Sequence, residues 1–233
     1  MIYGHRGAAS VDVPENTLAS IRRALAHGAD GVEVDVRLTR DGVPVLAHDA
    51  GLWRTAGVDR ELSGVDYADL PAVRGEQVPT LAEALEQVRG PLVVELKTPP
   101  WRTPCPVAPV VAELRRHRLD SVVVSSFDRT RLAQLRAQVP VRTALLGRPG
   151  VPAGVVVRRA LTDGHDQVHL HVRSLLARPD TVTAARACGL QVTAWTVDRS
   201  SDLLRCRDFG VHSVICDDPR TARQVLAGQR QAA

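Results

Sequence analysis

Residues 32–36 read Val32-Glu33-Val34-Asp35-Val36, a segment in which valine alternates with a carboxylate. β-Branched residues favour strands, and successive side chains of a strand point to opposite faces. The segment therefore predicts a strand with valines on one face and two carboxylates on the other. Similar short apolar runs recur along the chain, and together they predict eight strands, at 2–3, 31–36, 92–96, 122–125, 142–146, 167–170, 191–196 and 213–216.

The segments between these strands show the spacing of apolar residues that is typical of helices. Residues 17–27 place Leu18, Ile21 and Leu25 on one face, and comparable patterns predict helices at 81–88, 107–116, 129–138, 153–161, 181–188, 201–209 and 220–227. Such alternation indicates parallel strands joined by helical crossovers. An open doubly wound sheet would alternate in the same way, but eight regular units match a closed barrel, and no GxGxxG opens the first helix.

The predicted fold is therefore α/β, a single TIM-like (β/α)8 barrel with a short insertion between the second and third strands. One domain is expected over residues 1–233, because no linker divides the chain and 44% of it is apolar. Residues 49–78 form the insertion and carry Trp53 and Tyr67. We expect this segment to cover part of the barrel mouth.

Charge and composition exclude several classes of protein. The net charge is +4, but the basic residues are scattered and the densest group, at 115–118, ends a predicted helix, where cations suit the helix dipole. No aromatic residues interleave with it, which argues against nucleic acid as a partner. The four cysteines lack CxxC spacing and no apolar run reaches the ~18 residues of a membrane span. Because the first motif begins near Gly4, we expect a cytoplasmic protein without membrane insertion. The sequence does not indicate an oligomeric state.

Three carboxylates are expected to share one site. Glu33 and Asp35 would both point into the barrel, where buried carboxylates repel each other unless a cation or hydrogen-bond donors compensate them. Glu95 follows the same alternation near the top of the third strand, with Lys97 on the same face. Oxygen ligands without cysteine favour one hard divalent cation, Mg²⁺ or Ca²⁺, over zinc. The alternative for the Glu33 and Asp35 pair is an edge strand with a solvated face.

Two histidines bracket this acidic group. His5 follows the first strand and His48 follows the apolar run 43–47, so both should reach the barrel mouth. A lone histidine at a strand end usually makes a structural hydrogen bond, but a pair beside a metal-bound ester suits acid and base catalysis. The sequence has 30 lysine and arginine residues, of which Lys97 is the one lysine. Asn16 is its one asparagine. Retention of both supports chemical roles that arginine and aspartate cannot fill.

Five ordered motifs resemble the glycerophosphodiester phosphodiesterase family, in a compact bacterial-type form. They are His5-Arg6-Gly7, Pro14-Glu15-Asn16-Thr17, Glu33-x-Asp35, His48-Asp49 and Glu95-x-Lys97. The resemblance extends over essentially the whole chain through four more segments, Pro79-Thr80-Leu81, Ser125-Ser126-Phe127, Trp195-Thr196-Val197 and Asp217-Asp218-Pro219.

The resemblance implies an enzyme that hydrolyses a small-molecule glycerophosphodiester to sn-glycerol 3-phosphate and an alcohol. It implies that the three carboxylates bind one divalent cation and that His5 and His48 transfer protons. Arg6 and Lys97 would hold phosphate oxygens. Trp195 would contact a choline-like head group by a cation–π interaction, or else fill the barrel.

Three more residues are expected to orient these groups. Glu15 and Asn16 would position His5 and Arg6, although Asn16 also suits the N-cap of the first helix. Asp49 would orient His48, or cap a turn.

The sequence leaves alternatives open for both the substrate and the class of protein. A lysophospholipase D-type activity on lysolipids fits the same motifs. Asp198 and Asp218 replace residues that are often asparagine and aromatic in the family, and we expect this added negative charge to disfavour anionic head groups. A metal-dependent aldolase or sugar isomerase could use the same barrel but would not predict HRG and ExK together. A non-catalytic binding barrel would not require both histidines.

Overall fold

A computed structural model describes residues 1–97 and 105–228, so residues 98–104 and 229–233 of the expected domain lie outside the described residues. The strands of the described chain are β1 (Ile2–Gly4), β2 (Gly31–Leu38), β3 (Pro44–Leu46), β4 (Leu92–Leu96), β5 (Val122–Ser126), β6 (Arg142–Leu146), β7 (Gln167–His171), β8 (Gln191–Trp195) and β9 (Ser213–Cys216). Eight of them are parallel in the order β1-β9-β8-β7-β6-β5-β4-β2, and pairing of β1 with β2 closes the barrel. The predicted (β/α)8 barrel is confirmed.

Helices follow the strands and cover the outside of the barrel. They are α1 (Leu18–Ala26), α2 (Trp53–Ala56), α3 (Leu81–Gln87), α4 (Val107–Leu114), α5 (Arg129–Arg136), α6 (Ala153–Thr162), α7 (Val172–Ala177), α8 (Asp180–Ala187), α9 (Ser200–Asp208) and α10 (Pro219–Ala227). All eight predicted helices are present. The short helices α2 and α7 were not predicted, because four and six residues are too few for a helical period to show. No helix of the described chain is long and apolar enough to cross a bilayer.

Strand β2 shows how the alternating segment organises the core. Val32, Val34 and Val36 are fully buried and pack in the main apolar cluster between the strands and the helices. Glu33 and Asp35 face the barrel axis. Because β2 pairs in parallel with β1 on one side and β4 on the other, the edge-strand alternative for these two carboxylates is wrong.

The insertion between β2 and β4 has its own small apolar cluster. The predicted run 43–47 contains β3, which pairs antiparallel with β2 and lies outside the barrel order. Its Val45 packs with five buried residues of the insertion, Leu52, Leu62, Val65, Val73 and Val78. Trp53 is 70% exposed, so it takes no part in this cluster.

Helix α1 begins with a capping box. The Thr17 hydroxyl accepts the Ser20 N–H, and the Ser20 hydroxyl in turn accepts the Thr17 N–H. The N-cap alternative for Asn16 is therefore wrong, since the neighbouring residue fills that position. This leaves the Asn16 side chain free to point into the barrel.

Candidate active site

The three predicted carboxylates converge at the carboxyl-terminal end of the barrel. Asp35 on β2 lies opposite Glu95 on β4 in the parallel register, and Glu33 is two residues earlier on β2. One ligand atom from each lies within 4.8 Å of the other two. Their exposed fractions are only 4% for Glu33, 1% for Asp35 and 9% for Glu95. The barrel thus brings three acidic groups together away from solvent.

Of the three carboxylates, Asp35 has its negative charge best balanced by hydrogen-bond donors and cations. The amide of Asn16 holds it at two points, because Nδ2 donates to Asp35 Oδ2 at 2.8 Å and Oδ1 accepts the Asp35 N–H at 3.0 Å. Lys97 Nζ lies 2.7 Å from Asp35 Oδ1 and 2.7 Å from Glu95 Oε1. Although burial raises the pKa of Asp35, the cations Lys97 and Arg6 outweigh it and lower that pKa overall.

The negative charge of Glu33 is balanced much less well. Its carboxylate accepts the Arg6 N–H at 3.0 Å, a geometry that depends on the left-handed backbone of Arg6, with φ at 51°. Burial and the adjacent Asp35 raise the pKa of Glu33 to about 8. The pKa of Glu95 is also raised, by burial and by Asp35. Two of the three carboxyl groups therefore resist ionisation.

The site fits a divalent cation. A hard cation among the three carboxylates would stabilise their ionised forms, and an all-oxygen donor set suits Mg²⁺ or Ca²⁺. Gly7 helps to bring the adjacent turn close. Its φ is 84°, and a Cβ there would lie 2.4 Å from the Ser20 hydroxyl on α1.

Both predicted histidines line the same cavity as Glu33 and Glu95. The cavity is about 200 Å³ in volume, and its lining includes His5, Arg6, His48, Lys97, Glu33 and Glu95. Each histidine has a carboxylate partner. His5 Nδ1 is 2.6 Å from Asp217 Oδ1, and His48 Nδ1 is 2.6 Å from Asp49 Oδ1. In both rings Nδ1 is engaged, which leaves Nε2 as the nitrogen available for proton transfer.

The environments of the two imidazoles shift their pKa values in opposite directions. Burial lowers the pKa of His5, but its hydrogen bond to Asp217 and the nearby Glu33 outweigh burial and raise that pKa overall. Burial dominates at His48 and lowers its pKa, despite the raising effects of Asp35 and Asp49. Relative to an unperturbed imidazole, these shifts favour the protonated form at His5 and the neutral form at His48.

The expected orienting residues are present, with partly different partners. Glu15 Oε1 accepts from Arg6 Nη1 at 3.0 Å, and Asn16 binds Asp35. Neither side chain hydrogen-bonds to His5, whose Nδ1 is paired with Asp217 instead. That role was not assigned from the sequence, although Asp217 lies within the Asp-Asp-Pro motif.

Arg54 is a second residue that the sequence did not indicate. It extends from helix α2 of the insertion, and its Nη2 donates to Glu15 Oε1 at 2.6 Å while its Nε contacts Asp49. Arg54 thus connects the residue that supports Arg6 to the residue that supports His48. Nothing in the local sequence distinguishes it from the other arginines.

Aromatic residues form another wall of the cavity. Trp195 and Phe127 both line it, with ring centroids 5.7 Å apart in an edge-to-face arrangement. The Trp195 indole N–H donates to the His169 carbonyl at 3.2 Å, which fixes the ring. His169 is fully buried on the same wall, and burial lowers its pKa to about 3. It is therefore a neutral residue.

This fold and site define a TIM-barrel protein whose ionisable side chains converge at the carboxyl-terminal mouth of the strands, where the active sites of such barrels lie. The sequence profile of the Glycerophosphoryl diester phosphodiesterase family matches residues 5–221, and the chain belongs to this family. A glycerophosphodiester phosphodiesterase of Caldanaerobacter subterraneus subsp. tengcongensis is 30% identical over 240 residues, with 95% of each chain covered. The chain is accordingly a phosphoric diester hydrolase.

Solved structures agree with this assignment. A putative glycerophosphoryl diester phosphodiesterase from Silicibacter pomeroyi superposes with a TM-score of 0.86 at 28% identity, covering 98% of this chain and 93% of that one. A phosphodiesterase from Oleispira antarctica, solved in complex with the product sn-glycerol-3-phosphate, has a TM-score of 0.84 at 28% identity, covering 97% and 96%.

Proposed function

We propose that this chain hydrolyses glycerophosphodiesters to sn-glycerol 3-phosphate and an alcohol, using a divalent cation and two histidines. One observation carries the proposal: three buried carboxylates lie within 4.8 Å of one another, and two of them, Glu33 and Glu95, line the same cavity as two carboxylate-paired histidines. The product complex of the Oleispira antarctica phosphodiesterase supports the choice of substrate class.

Glu33, Asp35 and Glu95 would hold the cation, Mg²⁺ or Ca²⁺. Bound there, it would supply a positive charge that polarises the phosphoryl group and offsets charge developing in the transition state. Arg6 and Lys97 would bind the remaining anionic oxygens. Both side chains lie beside the carboxylates, with Arg6 Nε at 3.2 Å from Asp35 Oδ2 and Lys97 Nζ at 2.7 Å from Asp35 Oδ1.

The two histidines divide the proton transfers. His48, whose pKa is lowered, accepts the proton of the attacking hydroxyl. His5, with its pKa raised, donates a proton to the departing alkoxide of the alcohol. Groups with separated pKa values suit acid and base roles at one pH.

Two routes use these groups in the same way. The attacking hydroxyl belongs either to water or to the glycerol of the substrate. Attack by the substrate's own hydroxyl forms a cyclic phosphate that water then opens, whereas direct attack by water forms none. Rapid quenching followed by phosphorus NMR distinguishes the routes, because a cyclic product accumulates only in the first.

The test is metal-dependent release of sn-glycerol 3-phosphate from glycerophosphocholine. Protein treated with EDTA should be inactive, and Mg²⁺ or Ca²⁺ added separately should restore turnover. Glu33→Gln should not respond to either metal, whereas Glu86→Gln, an exposed change on α3, should behave as the native protein does. Absence of glycerol 3-phosphate with both metals would refute the proposal, and exclusive cleavage of lysolipids in parallel assays would favour the lysophospholipase D-type alternative.

A further inference from the structure

A second, larger groove adjoins the active-site cavity. Its volume is about 1360 Å³, and it lies between residues 149–152, helix α7 and the start of α9. Trp195 connects the two spaces. Its ring lines the active-site cavity and lies 5.3 Å from the ring of His171, which lines the groove together with Thr196. A substrate that extends past Trp195 would therefore enter the groove.

The groove is rich in cations. Four arginines line it, against two aspartates. Asp202 faces Arg205 at 3.9 Å, and Asp198 accepts the Asp217 N–H at 2.7 Å. Each acidic group therefore has a partner of its own within the protein.

Two of the arginines remain available. Arg173 and Arg199 are exposed, and no carboxylate of residues 1–97 or 105–228 lies within 4.0 Å of either guanidinium. A further cation flanks the entrance, because the Arg148 guanidinium lies 4.8 Å over the ring of Phe127 in the cavity wall. An exposed unpaired guanidinium is well suited to bind a phosphate by charge-assisted hydrogen bonds.

Of the two aspartates expected from the sequence to make the rim acidic, Asp198 lines the groove and Asp218 does not. Asp218 caps helix α10 by accepting the N–H groups of Arg220 and Thr221, so it lies away from the groove. The described lining also contains no Phe, Trp or Tyr, the side chains whose aromatic faces typically recognise a quaternary ammonium group. The surroundings therefore suit an anion better than a choline.

We infer that this groove binds an anionic group on the alcohol half of the substrate, so that the enzyme prefers glycerophosphodiesters whose alcohol carries a second phosphate. This inference rests on the proposed function and specifies its substrate class. Arg173 and Arg199 would be the residues that recognise the second phosphate.

Two substrates that differ only in that group test the inference. They are glycerophosphoglycerol and glycerophosphoglycerol bearing a terminal phosphate. The native protein should cleave the phosphorylated diester with a kcat/KM roughly tenfold higher, the scale expected for one or two charge-assisted contacts at an exposed site. Salt at about 0.5 M should reduce the preference by screening.

The double variant Arg173→Gln/Arg199→Gln should lose the preference and still cleave glycerophosphoglycerol at the native rate. The matched control is Arg116→Gln/Arg118→Gln, which removes the same charge from exposed residues between α4 and β5, at the opposite end of the barrel. Equal kcat/KM values for both substrates in the native protein, or a preference that survives in the groove variant, would overturn the inference.

Calorimetric titration in EDTA separates this inference from the proposed function. The phosphorylated diester should bind the native protein more tightly than its unphosphorylated analogue, and the groove variant should bind both equally. If neither diester is cleaved under any condition, the proposed function fails while the binding difference still reports on the groove. Equal binding by the native protein would refute the groove assignment alone.

Discussion

Nδ1 of His5 lies 2.6 Å from Oδ1 of Asp217, although 212 positions separate the two residues. Barrel closure brings them together, because Gly4 at the end of β1 pairs with Cys216 at the end of β9 and the His5 N–H donates to the Cys216 carbonyl at 2.9 Å. The imidazole that we propose as catalytic lies near one end of the chain and thus takes its carboxylate partner from near the other end.

Asp217→Asn should weaken the general acid without removing it. Losing the carboxylate removes the hydrogen bond and charge that raise the pKa of His5, so His5 should lose its proton at a lower pH. The basic limb of the pH profile of kcat/KM should therefore move to lower pH, with a loss of roughly tenfold or more on the alkaline side of the native optimum. Asp218→Asn is the matched control, since asparagine also caps helices well and the basic limb should not move.

His5→Ala and His48→Ala should each reduce kcat by roughly 10²- to 10⁴-fold, the usual contribution of a positioned proton donor or acceptor. The native profile should be bell-shaped. Activity rises as His48 loses its proton and falls as His5 loses its own. His5→Ala should flatten the basic limb and His48→Ala the acidic limb, as measured by kcat/KM from about pH 5 to 9. Near-native turnover in either variant would contradict the assignment.

Glu33→Gln should stabilise the metal-free protein at alkaline pH. A carboxyl whose pKa is raised to about 8 contributes most to the free energy of unfolding below its ordinary value of 4.5, and this contribution is lost as the pH rises through about 8. In EDTA at pH 8, the variant should exceed the native protein by on the order of 1–3 kcal/mol in urea unfolding, with the difference vanishing near pH 4.

Added metal should make the native protein more stable than Glu33→Gln. Binding at 100 times Kd stabilises a folded protein by about 2.7 kcal/mol, so Mg²⁺ or Ca²⁺ should stabilise the native protein and leave Glu33→Gln unchanged. An equal response of both proteins to metal would place the cation elsewhere.

Asn16→Ala should affect both stability and the metal site. The substitution leaves the buried N–H of Asp35 without its acceptor, a loss of about 1–3 kcal/mol in the free energy of unfolding. It also frees the Asp35 carboxylate, and metal affinity measured by calorimetry should fall by roughly 10- to 100-fold. Gln134→Ala removes an amide from an exposed helical position and should leave both quantities within error.

Local patterns predicted the elements of this fold well. Alternation in β2 identified a buried strand with Glu33 and Asp35 inward, and the same reasoning placed Glu95 beside them. The periods of two and 3.6 arise from backbone geometry within a few residues, so they are visible in the sequence. Strand β3 and helix α7 were not predicted, because segments of three and six residues are too short to show a periodic pattern.

The partners of the site residues were less predictable. Asn16 binds Asp35 rather than capping α1, and Arg54 reaches Glu15 across 39 positions. Such contacts depend on how loops fold over the barrel mouth. The charge of the rim likewise depends on which acidic groups have partners, and Asp198 and Asp218 each accept backbone N–H groups.

The sequence by itself determined the alternation of strands and helices, the inward carboxylates and the residue types available for chemistry, because these follow from side-chain periodicity and ordinary reactivity. Only the tertiary structure decided that Asp217 pairs with His5, that Glu33 is the least compensated carboxylate and that a basic groove continues beyond Trp195. The physical reason is that a pKa and a recognition surface are set by neighbours in space, and barrel closure brings together groups that are distant along the chain.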